Sequence, residues 1–191
     1  MNLPNKLTVL RIAVTPVFML ALMWDFKYHY IVALVLFIAA SLTDMADGRY
    51  ARKHNMITDF GKFLDPLADK MLTTAAFIAF VYLKIGKGIE WIVFIVLFRE
   101  FLISSLRLVA VSSGGKVIAA NIFGKMKTVS QMAAIIFAIF VNILYEWVHD
   151  PLTVDILNAS VTVLLWISAI LTVISGIVYM ADNLQFINPD K

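Results

Sequence analysis

The sequence predicts an all-α integral membrane protein, a bundle of six transmembrane helices with its N-terminus in the cytoplasm. Hydrophobic residues make up 61% of the 191-residue chain and charged residues only 15%. The mean hydropathy is +0.87, well above what a soluble domain of this length needs. Apolar segments recur along the whole chain, each near the ~20 residues a helix uses to cross hydrocarbon, and Lys and Arg gather at alternate ends of them.

The six segments are 7–24, 30–51, 63–83, 89–111, 125–147 and 153–180. The first follows Lys6 and has the outline of a secretory signal. Arg11 interrupts it, Pro16 lies inside it and no small-x-small cleavage site follows, so it reads as a retained span. Strands are excluded by the length of the runs and by the lack of ~10-residue alternation. Connections are short, with no linker, repeat or low-complexity tract, so residues 1–191 form a single membrane domain.

With the N-terminus in the cytoplasm, Lys6, Arg49, Arg52, Lys53, Lys62, Lys70, Lys116, Lys125 and Lys127 fall at or near the inner face. Lys27, Lys84 and Lys87 fall outside, and the loop "YEWVHDPLTVD" has no Lys or Arg. Trp24, Trp91 and Trp147 stand near span ends, as an aromatic belt does. The protein is therefore expected to be multi-pass in the cell's inner (cytoplasmic) membrane. The absence of cysteine excludes disulfides and thiolate metal sites. A net charge of +3 without a long basic face argues against nucleic acid as a partner. His29, His54 and His149 read as loop or interface residues, and the scattered methionines as core filler.

Against this background, "DMADGRYARKHNMITDFGKFLDPLADK" stands out. On a helix turning about 100° per residue, Asp44, Asp47, Gly48 and Ala51 share a face, with Arg52 at its edge. Gly61, Asp65 and Asp69 recur every fourth residue on the next helix. The short connection makes these two helices antiparallel neighbours, so four carboxylates converge just inside the membrane surface. Four anions that close need a positive partner. Hard divalent cations, Mg2+ or Mn2+, suit carboxylate oxygens, and two of them form a phosphoryl-transfer clamp. Gly48, Ala51 and Gly61 leave room for a flat ligand or for close helix packing, and Arg52 is placed to neutralise a diphosphate or to snorkel. Pro66 either follows a late helix start capped by Asp65 or lies within a helix that began earlier.

Taken together, Asp44-x-x-Asp47-Gly48-x-x-Ala51-Arg52, eight residues, then Gly61-x-x-x-Asp65-x-x-x-Asp69 resembles the complete signature of the CDP-alcohol phosphotransferase family. The resemblance implies a six-helix, homodimeric membrane enzyme with two divalent metals. In its reaction an alcohol attacks the β-phosphate of a CDP-linked donor and CMP leaves. It implies Asp44, Asp47, Asp65 and Asp69 as metal ligands, Asp69 also as general base, and Gly48, Ala51, Arg52 and Gly61 as the CDP site, open to the cytoplasm.

Three further stretches, "NKLTVLR", "REFLISSLR" and "GKMKTVSQM", resemble the bacterial phosphatidylglycerophosphate synthases within that family. This branch implies CDP-diacylglycerol as donor and sn-glycerol 3-phosphate as acceptor, among membrane lipids. Arg99 and Glu100 lie near the middle of a span, where ionisable residues are costly and usually functional. Adjacent in sequence, they point about 100° apart on a helix and should not face each other. Arg99, Arg107, Lys125 and Lys127 are expected to form a basic pocket for the acceptor phosphate; the competing readings are structural ion pairs and topology determinants. Thr8 and Arg11 are candidates for the diphosphate side, with snorkelling the alternative for Arg11. Serine, inositol phosphate or phosphatidylglycerol as acceptor, and a divalent-cation transporter, are the alternative functions. A purely structural membrane subunit would have no need of four converging carboxylates.

Overall fold

A computed structural model describes residues 3–53, 59–112, 122–145, 147, 148 and 150–183; the side chains of 3, 4, 44–53, 59–63, 65, 66, 69 and 110–112 lie outside the described set. The chain forms six helices: α1 Leu3–Met23, α2 His29–Lys53, α3 Asp59–Leu83, α4 Ile89–Ser112, α5 Ile122–Leu144 and α6 Pro151–Asn183. Each coincides with one expected segment to about a helical turn at either end. No strand occurs among the described residues.

Asn5–Met23, Ile122–Leu144 and Pro151–Asn183 are long and apolar enough to cross a membrane. In α2 and α3 the purely apolar parts are shorter, His29–Thr43 and Lys70–Leu83. Helix α4 carries Glu90, Arg99, Glu100 and Arg107 within its length. The exterior is apolar, with Val17, Leu20, Phe94, Phe98 and Phe101 all exposed. Such a surface suits a hydrocarbon solvent and not water. Trp24 follows α1, Trp91 opens α4 and Trp147 follows α5, so the alternating helix directions put all three at one end.

Helix α1 packs along both α2 and α3, α5 along α6, α4 on α6 and α2 on α5. Among the described residues α2 and α3 are in contact, though over less of their length than the other pairs that touch; the ends that flank their short connection, where the sequence expects them to be neighbours, lie outside the described side chains. Small buried residues explain the arrangement. Ala33 and Ala40 on α2, and Ala75, Ala76 and Ala79 on α3, leave space for a third helix to approach. Phe18 of α1 and Phe37 of α2, both fully buried, meet with ring centroids 5.5 Å apart. Helix α3 begins at Asp59, so the late start with Asp65 as N-cap is corrected. A proline inside a helix forfeits one backbone hydrogen bond, which packed membrane helices tolerate.

The turn between α3 and α4 is tied to α6. Trp166 Nε1 donates to the Lys87 carbonyl (3.1 Å), and the Lys87 N–H donates to Thr162 Oγ1 (3.2 Å). Gly86 (φ +89°) and Gly88 (φ +72°) occupy the left-handed region that only glycine adopts freely. A Cβ on Gly86 would lie 2.6 Å from Leu165 Cδ1, which is itself fully buried. Gly86→Ala is therefore expected to destabilise the fold by about 1–3 kcal/mol, from backbone strain and overpacking together. A denaturation midpoint in mild detergent measures it; an unchanged midpoint would contradict this packing. At the start of α6, the Thr153 N–H and hydroxyl both donate to Asp150 Oδ2 (2.9 and 2.6 Å), capping the helix ahead of Pro151. These bonds hold the Asp150 carboxyl below its usual range.

Candidate active site

The aspartate stretch occupies the end of α2 and the start of α3, on either side of the 54–58 connection. Helix α2 runs unbroken to Lys53, so Asp44, Asp47, Gly48 and Ala51 keep the i, i+3, i+4 spacing of one helical face, with Arg52 beside it. Helix α3 keeps Gly61, Asp65 and Asp69 on another. The side chains of these eight residues lie outside the described set. Their donors, four carboxylates with no thiolate in the chain, fit a hard divalent cation.

Thr8 and Arg11 project from α1 into the bundle. Arg11 is 5% exposed and lines small cavities with Ala40, Ser41 and Thr43, the residues of α2 leading up to Asp44. The snorkelling alternative is thus corrected: the guanidinium is buried among helices, not extended to a lipid interface. Thr8 is likewise buried.

Three of the four residues expected to bind the acceptor phosphate line a separate polar cavity of about 260 Å³. Lys70 of α3, Arg99, Glu100, Ser104 and Arg107 of α4, Lys127 and Thr128 of α5, and Ser175 and Tyr179 of α6 form its polar lining. Glu100 is at its centre. Its Oε2 lies 3.3 Å from Lys70 Nζ, and its Oε1 accepts from Arg99 Nη1 (3.1 Å) and from Lys127 Nζ. Arg99 Nη2 donates to Ser175 Oγ (2.8 Å). Arg99 and Glu100 were not expected to face each other. The long guanidinium arm crosses the 100° between them, because Lys127 and Ser175 draw both side chains to one side. The Lys70 ammonium also donates to Ser104 Oγ, whose hydroxyl donates to the Glu100 carbonyl (2.7 Å).

Gly176 explains how Arg99 fits. A Cβ there would stand 3.1 Å from Arg99 Cγ, so the glycine gives the arginine stem its path along α6. Below the cavity, Gln131 Nε2 donates to Thr172 Oγ1 (2.9 Å), which donates to the Ser168 carbonyl, continuing a buried polar seam between α5 and α6. Arg107 lines the cavity, is exposed, and has no ion pair among the described residues. Lys125 is exposed and does not line the cavity. It precedes Lys127 by two residues, about 200° of helical turn, so the structure brings three of the four expected cations together and leaves the fourth outside.

A family profile for CDP-alcohol phosphatidyltransferases matches residues 1–178. The chain belongs to that family. Among its relatives, a CDP-diacylglycerol–glycerol-3-phosphate 3-phosphatidyltransferase of Bacillus subtilis is 39% identical, over 95% of each chain. An enzyme of the same name from Rickettsia bellii is 38% identical over 93% of each. A probable phosphatidylglycerophosphate synthase of Mycobacterium tuberculosis is 39% identical over 96% of this chain and 82% of its own.

In this CDP-alcohol phosphatidyltransferase, sequence reasoning missed several cavity residues. Lys70 reads from sequence as a topology-setting cation, although an ionisable residue directly after Asp69 is a signal. The depth of Glu100 in its span is legible in the sequence, but its partners are not. Ser175, Gly176 and Tyr179 lie in a span whose sequence offers no comparable signal. Serine and glycine are ordinary in membrane helices.

Proposed function

We propose that this enzyme transfers the phosphatidyl group of CDP-diacylglycerol to sn-glycerol 3-phosphate, giving phosphatidylglycerol phosphate and CMP. The observation that carries this reading is the charge of the polar cavity. Its lining holds the cations Lys70, Arg99, Arg107 and Lys127 against the single anion Glu100. Arg99 and Lys127 are largely buried against that one carboxylate, and buried positive charge in excess is costly without an anion to meet it. A phosphate dianion supplies that anion; zwitterionic serine, which has no net charge, does not. Arg99 Nε is buried with no hydrogen-bond partner among the described residues, as a donor awaiting a ligand oxygen would be.

Lys70 is the residue after Asp69, so the cavity adjoins the helix that carries the base of the proposed reaction. Asp69 takes the proton of the acceptor hydroxyl as it attacks the β-phosphate. Arg107, Arg99 and Lys127 hold the acceptor's phosphate and so fix that hydroxyl in line. Gly48, Ala51, Arg52 and Gly61, with Arg11 and Thr8 behind α2, hold the cytidine diphosphate. Asp44, Asp47, Asp65 and Asp69 would hold two Mg2+ or Mn2+ ions, which when bound offset charge on the phosphoryl oxygens and the leaving CMP. In this reading residues 1–191 are one homodimeric domain. All six helices cross the inner membrane, the N-terminus is cytoplasmic and the site opens to the cytoplasm, where a soluble acceptor is available.

CMP release by detergent-purified protein tests the reading, with CDP-diacylglycerol, Mg2+ and each candidate acceptor in turn. Release is expected only with glycerol 3-phosphate and is expected to stop with chelator. Release with serine or inositol phosphate instead would keep the chemistry and overturn the assignment of the cavity. No release with any of these acceptors, from folded protein, would mean that this phosphatidyltransferase uses another acceptor and would overturn the reading of the cavity.

A further inference from the structure

We propose that Glu100 is a resident counter-ion that the acceptor's phosphate displaces: its carboxylate neutralises the acceptor cavity when empty, and gives up Lys127 and Arg99 when the acceptor enters. The inference rests on the acceptor-phosphate reading of the cavity and adds to it a carboxylate that would otherwise be an obstacle to anion binding.

The geometry carries it. The two oxygens of Glu100 divide their partners. Oε1 faces Arg99 and Lys127, and Oε2 faces Lys70, so cations from α3, α4 and α5 converge on one carboxylate. The Glu100 side chain is 13% exposed, Arg99 13% and Lys127 9%, so three of the four charges are largely withdrawn from solvent. Two largely buried cations, Arg99 and Lys127, beside the half-buried Lys70 and with no counter-ion, would repel one another and strain the bundle each time the cavity emptied. With Glu100 present the empty state is tolerable, and a phosphate need only take over the Oε1 partners. Lys70 and Ser104 retain Oε2 and the α4 backbone meanwhile. Lys70, Glu100 and Ser104 also form the wall shared with an apolar groove of about 840 Å³ between α1, α3 and α4. A carboxylate anchored in that wall stays at the cavity through the exchange. As product leaves, it recovers Arg99 and Lys127, which favours release of a ligand that still bears the phosphate.

This makes a prediction of sign. A carboxylate needed only to brace the cations would, when neutralised, weaken anion binding. A competing counter-ion would, when neutralised, strengthen it. The experiment is thermal unfolding of the purified full-length protein in detergent, titrated with inorganic phosphate and separately with glycerol 3-phosphate, since a bound ligand stabilises by mass action. Glu100→Gln is expected to lower the half-saturating concentration of both by roughly tenfold. Glu100→Asp, which draws the charge back by one methylene, is expected to lower it less and covers the case in which the glutamine variant does not fold. An unchanged or raised half-saturating concentration in whichever variant folds overturns the proposal. If the unmodified protein responds to phosphate and Arg107→Gln weakens that response while the Glu100 variants do not strengthen it, the counter-ion role alone fails. If the unmodified protein shows no response to either anion, the cavity does not hold the acceptor phosphate, and both readings fall.

Discussion

Asp69→Asn is expected to lower the rate of CMP release by roughly 10²- to 10⁴-fold, the range a positioned general base contributes. The substitution preserves size and removes only the charge and basicity of the carboxylate. In the proposed reaction the acceptor hydroxyl must lose its proton as it attacks the β-phosphate, and a neutral amide cannot take it. Helix α3 is continuous from Asp59 to Leu83, so Asp69 shares its turn with Lys70, whose ammonium is fixed on α4 by Glu100 and Ser104. The aspartate therefore stands on a braced part of the helix. The half-saturating Mg2+ concentration tells its two assigned roles apart. A rate loss far larger than the change in Mg2+ requirement supports the base. A Mg2+ requirement that rises enough to restore the rate at high metal would leave Asp69 as a ligand alone. CMP release at the unmodified rate would remove it from the chemistry.

Arg107→Gln is expected to raise the KM for glycerol 3-phosphate by about 10- to 100-fold, the equivalent of one charge-assisted hydrogen bond. The KM for CDP-diacylglycerol should stay as it is. Arg107 is the right residue to test because it lines the cavity, is exposed and has no ion pair among the described residues, so its loss leaves no buried charge behind. Arg99 and Lys127 lack that property: removing either would strip Glu100 of a partner and confuse binding with stability. Arg107→Lys should recover part of the affinity and not all of it, since an ammonium cannot grip two phosphate oxygens in a fork. Equal increases in both KM values would mean that Arg107 supports the site as a whole.

Much of this architecture was readable before any coordinates. A helix crossing a bilayer must satisfy its backbone internally and present apolar side chains for about 20 residues, so composition and length alone located all six helices. The aspartate spacing was equally legible, because α-helical geometry converts i, i+3 and i+4 into one face. The sequence does not decide whether Pro66 lies inside α3. A proline's local preference and the tolerance of a packed bundle point in opposite directions, and the bundle prevailed.

What the sequence by itself determined, then, was the class of the protein, its helices and the family signature on α2 and α3. These depend on periodicities within one helix. Only the tertiary structure decided which helices touch and which charges meet. Buried alanines admit α1 between α2 and α3, so Arg11 ends up inside the bundle near the residues before Asp44. Glu100 gathers Lys70 and Lys127 from sequence separations of 30 and 27 residues, and Arg99 reaches Ser175 across 76. Lys125 and Lys127, alike in sequence, part company because two residues on a helix face nearly opposite ways. Contacts between helices depend on side-chain volume and reach summed over the whole bundle, and no window of sequence contains that sum.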